Sequence, residues 1–298
     1  MLILLLTIII YLTKPLPSFA QIPLSHLLIQ SYKPSSIYQV KSDIVKTVGN
    51  ILGLTNTSIN QNSLPTPTPS PQPETLAIGG YQKLITIAIL GDSMIDTLAD
   101  FSYLKRSLET AYPQYIFNII NYGLGASDIE YGLFRLENDY QYLDEHHPSL
   151  LSQNPDIIII ESFAYNNFGN TQAGFDKHWL NLGALTTKIK QSLPNTKILL
   201  TSTIAPSSVI FGNGSGTNFS ALEKLQKTKT INLYLQNLIN FSKSQNYPLA
   251  DAYTPSLKNQ DGNPIFVNKD DGIHPSSLGA QFFQDILFES LAKYKFIE

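Results

Sequence analysis

The chain of 298 residues has no cysteine at all. That excludes disulfides, thiolate metal sites and cysteine nucleophiles together, so any nucleophile must carry oxygen or nitrogen. Charge is also scarce, at 14% of residues, and no long basic run occurs among 20 Lys and Arg against 23 Asp and Glu. With a net charge of -3, nothing here attracts a phosphate backbone, and nucleic acid is excluded as a partner on electrostatic grounds. No internal repeat and no long apolar lid segment is present. What remains is 43% hydrophobic, enough for one sizeable core with extra segments attached.

The N-terminus, MLILLLTIIIYLTKPLPSFAQ, carries an apolar run from Leu2 to Leu12 followed by the small residues Ser18 and Ala20 around Phe19. The run has the length of a signal-peptide core and is short for a bilayer span. It departs from the usual pattern in lacking a positive charge ahead of it, since the first basic residue is Lys14. Residues 1–20 are therefore expected to be an export signal, or else a membrane tether held by residues 2–13, and the protein to be secreted or displayed at the cell surface. Residues 21–80 end in SLPTPTPSPQPETLAIGG, a Pro/Thr/Ser tract that forms neither helix interior nor sheet ladder and reads as a spacer, with one short helix expected from Ser42 to Leu54. The folded domain is expected over residues 81–298.

In that domain apolar, β-branched runs occur at Leu84 to Leu90, Tyr115 to Asn121, Asp156 to Glu161, Lys197 to Ile204 and, more weakly, Tyr247 to Ala250. Helical stretches follow them at Met94 to Ala111, Asp128 to Tyr142, Lys177 to Leu193, Ser220 to Ser244 and Ser276 to Tyr294. Five β-α units of this spacing predict a three-layer α/β/α sandwich around a five-stranded parallel sheet, flavodoxin-like, with every strand ending at one rim. Two insertions are expected on that rim, Phe168 to Asp176 and the Gly/Asn/Ser-rich Ser207 to Phe219.

Chemistry is sought where the strands stop. Ser93 follows the first run and is either a nucleophile or the cap of the next helix. Asp92 is expected to fix the turn through its own backbone bonds. Asn121 to Asp128 (NYGLGASD) offers backbone N–H groups, Asn166 and Asn167 lie past the third run, and Asp271 precedes His274 by three residues just before the last helix. These are the parts needed for acyl transfer.

In content and order this set resembles the GDSL or SGNH hydrolase family. Gly91-Asp92-Ser93-Met94 matches the family's first block and Asp271 to His274 its last, while the middle is looser. Ala126 stands at the usual oxyanion glycine, and Ala164-Tyr165-Asn166-Asn167 keeps the asparagine of the third block without its flanking Gly and Asp. The resemblance spans about Ile85 to Tyr294. It implies a serine esterase, exported if residues 1–20 act as expected, in which Ser93 attacks, His274 takes the proton and Asp271 orients the imidazole. The oxyanion would be held by the N–H groups of Ser93 and of Ala126 or Gly125 and by the Asn166 amide, with no cofactor and no metal. The expected substrate is a small acyl ester, acetyl foremost, or an acylated polysaccharide of the cell surface. The resemblance also leaves room for a lipase-like or lysophospholipase activity, and the eroded middle blocks for a catalytically inactive glycan-binding domain. No residue pattern speaks to oligomeric state.

Other residues have plainer expected uses. His146 and His147 are expected to cap a helix end before Pro148, with metal binding as the alternative. Trp179 is expected in the core rather than as a sugar platform. Tyr165, Phe168, Phe211 and Phe219 are expected in or beside the rim loops, lining a groove or anchoring the loops.

Overall fold

The computed structural model describes residues 82–297. The chain divides into two units, Met1–Glu74 and Thr75–Glu298, and every described residue lies in the second. The expected export segment, spacer and helix from Ser42 to Leu54 lie outside the described residues. Among the described residues no helix is long and apolar enough to cross a membrane.

Five parallel strands make the central sheet: β1 (Lys83–Gly91), β2 (Tyr115–Gly123), β5 (Ile157–Glu161), β6 (Lys197–Ser202) and β7 (Leu249–Asp251), in the order β2-β1-β5-β6-β7. This is the flavodoxin-like doubly wound order, and it reverses between β1 and β5. Period-two alternation sends the strand side chains into two cores. Ile85, Ile87, Ile89, Ile157 and Ile159 face one helical layer, whereas Ala88, Leu90, Ile158 and Ile160 face the other. Helices α2 (Ser102–Ala111) and α7 (Ser277–Lys293) cover the first face through Leu104, Leu108, Phe283 and Leu287. Helices α3 (Ile129–Glu137), α4 (Gln172–Ser192) and α5 (Ala221–Gln245) cover the second through Ile129, Leu182, Leu185 and Leu238, and a one-turn α6 (Tyr253–Ser256) follows β7.

The helix expected from Met94 to Ala111 is instead two. The one-turn α1 (Ser93–Asp96) is followed by a turn in which Ala99 (φ 55°) and Phe101 (φ 51°) are left-handed. The break is held from outside: Asn121 on β2 donates from Nδ2 to Ala99 O (2.9 Å) and Ile95 O (3.2 Å). Buried Gln284 on α7 accepts from Leu104 N–H in the first turn of α2 (3.0 Å). The helix expected from Asp128 to Tyr142 stops at Glu137, and a hairpin follows, β3 (Tyr140–Tyr142) with β4 (Glu145–His147). Its two turn residues, Leu143 and Asp144, both have positive φ (50° and 65°), the type I′ pattern that matches strand twist. His146 and His147 are thus strand residues and not helix caps. His147 stacks on Tyr140 at 5.0 Å, and exposed His146 lies 3.3 Å from Asp139.

Helix α4 starts five residues earlier than the expected Lys177, because the Thr171 side chain accepts from Gly174 N–H (3.1 Å) and caps it. This shortens the first rim insertion, while the Ser207 to Phe219 segment remains irregular. Trp179 packs edge-on against Phe241 at 5.2 Å within the second core.

Candidate active site

Ser93 sits where β1 ends, at the first position of α1, but it is not the cap. Asp92 is: its Oδ1 accepts from Met94 N–H (2.9 Å), and the half-buried Ser93 hydroxyl makes no hydrogen bond among the described residues. Asp92 is wholly buried, and its Oδ2 accepts from Asn166 Nδ2 (3.1 Å), so the asparagine past β5 is tied to the turn past β1 across the switch point. Burial pushes the Asp92 carboxyl up, opposed by these two hydrogen bonds and by nearby His274 and Arg135.

Asp271 and His274 lie in the loop before α7. Nδ1 of His274 is 2.8 Å from Asp271 Oδ2, while Asp271 Oδ1 accepts from the N–H groups of Ile273 (2.7 Å) and His274 (3.0 Å). Partial burial works against the Asp271 charge, but the His274 hydrogen bond and those N–H groups outweigh it and hold the carboxyl below its ordinary value. A carboxylate so fixed sets the imidazole tautomer with Nε2 free to accept a proton. The turn tolerates only glycine at Gly272, whose φ is 67° and where a Cβ would come within 1.9 Å of Ile210 O. Asp270, the neighbouring carboxylate, makes no such contact with His274.

The loop after β2 supplies backbone donors. Ala126, at the glycine position implied by the family resemblance, has φ 56°, a left-handed conformation that costs an alanine about 1 kcal/mol or more. Its N–H meets no acceptor among the described residues, and neither does that of Ser93. The Gly125 N–H is directed to the Tyr142 hydroxyl (3.4 Å), which in turn donates to Asp96 Oδ2 (2.7 Å), so of the two candidates Ala126 has the free group. The Tyr142 hydroxyl is pushed up to about 12, first by burial and then by Asp96.

Sequence reasoning missed the residues that hold these loops in place. Arg135 on α3 is fully buried and donates to Tyr122 O (2.5 Å) at the end of β2, to Gly91 O (3.0 Å) at the end of β1 and to Ser127 Oγ (3.1 Å). One guanidinium thereby fastens the Ser93 turn to the Ala126 loop, the geometry for which its planar fork is suited. In the sequence it is one cation midway along the expected helix from Asp128 to Tyr142, with nothing to mark it as buried. Glu161, closing β5, is wholly buried beside Asp92, and it accepts from Ser162 Oγ and from Phe163 N–H (2.8 Å). Burial first, and the Asp92 charge second, push its carboxyl well above the ordinary range, so Glu161 keeps the proton of this pair.

His178, nearly two turns into α4, buttresses the same loop: Nε2–H donates to Ser162 O (2.7 Å) and Nδ1 accepts from Asn237 Nδ2 (3.0 Å). Burial lowers its pKa from 6.5 to about 4, and it stays neutral at physiological pH. Between those values an unfolded chain takes up a proton that the native imidazole refuses, so the His178 contribution to stability falls as pH drops. Glu161 acts in the opposite sense, because its native carboxyl holds a proton that the unfolded one releases. The expected titration midpoint of the His178 ring, followed by NMR of the imidazole nitrogens, is near pH 4; a midpoint near 6.5 overturns the assignment.

The two asparagines have different surroundings. Asn167 spends its side chain on its own loop, donating to Ala164 O (2.8 Å) and accepting from Gly169 N–H (2.9 Å). Asn166, bound to Asp92 through one N–H, has a second to offer at the rim. Asn166→Ala is expected to lower kcat on a short-chain ester by roughly a hundredfold, the cost of one oxyanion donor. Asn167→Ala should act mainly on stability. A larger kcat loss at Asn167, with circular dichroism unchanged, would reverse the two roles.

An open groove of about 800 Å³ leads away from this site, lined by Tyr165, Asn166, Phe211, Phe219 and Ile273 among others. Phe168 packs in the cores, with the Lys177 ammonium over its ring at 4.2 Å.

Comparison with known proteins returns the fold. No family model matches the chain, and no curated protein does. Among solved structures, the acetyl xylan esterase AlAXEase superposes with a TM-score of 0.51 at 20% identity, over 70% of this chain and 100% of its own. A protein assigned as a GDSL-like lipase from Parabacteroides merdae gives 0.50 at 17% identity, over 71% and 97%. A gut microbial diltiazem-metabolizing enzyme gives 0.53 at 15% identity over 71% of this chain, which spans 48% of that larger one. The sheet order and the flanking helices are those of the GDSL-type hydrolase fold.

Proposed function

We propose that this chain is a serine esterase of the GDSL/SGNH type that removes a short acyl group, acetyl foremost, from a hydroxyl of a carbohydrate. The observation that carries the reading is the Asp271–His274 hydrogen bond at the strand-end rim, in a site where, among the described residues, the Ser93 hydroxyl makes no hydrogen bond and two backbone N–H groups are unclaimed.

In this mechanism His274 Nε2 takes the Ser93 proton as Oγ bonds to the ester carbonyl carbon. The oxyanion that forms is held by the N–H groups of Ser93 and Ala126 and by the Asn166 amide, donors already in place before the charge develops. Collapse breaks the bond to the sugar oxygen, which leaves with the proton from His274. Water then attacks the acyl-serine, giving its proton to His274, and the acid and the free hydroxyl of Ser93 are regenerated. Asp271 stays ionised throughout and stabilises the imidazolium. The Asn and Thr side chains lining the groove support a sugar over a lipid. Export, by signal or tether, is proposed from the N-terminal run alone.

A fluorophosphonate probe tests the reading, since only an activated serine reacts with it. Stoichiometric labelling at Ser93, together with hydrolysis of p-nitrophenyl acetate, is the expected result. Failure of both would leave the fold as a binding domain.

A further inference from the structure

The groove beside the site has a distinctive charge. Its far wall is formed by Lys227 and Lys229 of α5, and no Asp or Glu is among the residues that line it, although the whole chain carries a net charge of -3. The carboxylates that touch lining residues, Asp92 through Asn166 and Asp271 through Ile273, belong to the candidate active site. Glu223, one turn before Lys227 on α5, accepts from both the N–H and the hydroxyl of Ser220 (2.7 Å each), closing the capping box; those bonds first, and the Lys227 charge after them, hold its carboxyl below the ordinary value. Lys227 lies over the Phe219 ring at 4.7 Å, and neither Lys227 nor Lys229 joins an ion pair among the described residues. Two ammonium groups outside any such pair along a cleft wall concentrate anions there.

Lys229 also borders a smaller recess of about 360 Å³, which the exposed Gln236 shares. A ligand that follows this wall presents anionic acceptors to the lysines and hydroxyls to the amide side chains. A carboxylated sugar chain does both.

We infer that the ester cleaved here sits on an acidic sugar chain, a uronate-type oligosaccharide whose carboxylates lie against Lys227 and Lys229 while its acylated hydroxyl reaches Ser93. The inference rests on the esterase reading for the reaction but not for binding. Asn166, bound to Asp92, and Ile273, the neighbour of His274 in sequence, line the same groove as the two lysines.

The test compares O-acetylated oligouronates with O-acetylated xylo-oligosaccharides of equal length on the full chain. The expected kcat/KM favours the oligouronate by roughly tenfold at low salt, what two exposed charge pairs supply, and the preference shrinks as ionic strength rises. The double variant Lys227→Gln/Lys229→Gln is expected to lose that preference, chiefly through KM, while Lys188→Gln, a lysine paired with Glu137 elsewhere on the surface, keeps it. Equal kcat/KM for the two esters, or a preference that survives in the double variant, overturns the inference while p-nitrophenyl acetate hydrolysis leaves the esterase reading standing. Calorimetric binding of de-acetylated oligouronate to the same protein needs no catalysis. Should Ser93 fail to label, binding that weakens in the double variant supports the groove assignment, and absence of binding overturns it.

Discussion

Replacement of Ser93 by alanine is expected to lower kcat on p-nitrophenyl acetate by roughly 10⁵-fold or more, the scale of losing a nucleophile that acts as a unit with its base. The same change should leave stability within about 0.5 kcal/mol of the wild type. The second expectation follows from the helix cap: Asp92, not Ser93, accepts the Met94 N–H, so deleting the serine hydroxyl leaves no backbone donor stranded. Steady-state kinetics and thermal denaturation of the variant separate the two effects. Retained activity with a lowered melting temperature would remove Ser93 from the mechanism.

Asp271→Asn should cost about 10⁴-fold in kcat with the fold preserved. The two N–H groups of Ile273 and His274 point at Oδ1 and need an acceptor there, so an asparagine will keep its oxygen in that position. Its Nδ2 then faces His274 Nδ1, where Asp271 Oδ2 had been at 2.8 Å. An N–H donor at that place forces the imidazole proton onto Nε2, the nitrogen that must accept from serine. The prediction is checked by kcat on a short-chain ester with circular dichroism alongside; a variant within tenfold of wild type would show that the carboxylate does not set the tautomer.

Much of this architecture is legible in the sequence because its causes are local. Strands buried on both faces must be apolar runs, and the residues after them must converge on one rim once the sheet is parallel. The features that escaped have causes far along the chain. The break between α1 and α2 contains no glycine or proline, and it is Asn121 on β2 that holds it. The hairpin carries Leu143 and Asp144 where Asn-Gly would have advertised a type I′ turn. The helix signal through Tyr142 therefore meets no contradiction in the sequence. Arg135 reads as a surface cation, and only the sheet ends reveal that it is a buried clamp. The candidate site divides the same way. Asp271 and His274 are near neighbours in sequence, whereas the pairing of Asn166 with Asp92, and the lysine wall built from α5 and the Phe219 loop, exist only after folding.

The parallel sheet has a practical consequence for handling the protein. All five strands begin at the edge opposite the rim, and the last described residues return there, with Lys197 Nζ at the start of β6 donating to Lys295 O (3.1 Å) and Phe296 O (2.9 Å). At the same edge Gln82, just before β1, donates to Pro113 O (3.0 Å) just before β2. Entry and exit thus share the pole away from Ser93 and His274. A reporter fused behind residue 297, or a bead coupled through a handle there, hangs from the base of the domain and leaves the rim with Ser93 and His274 clear.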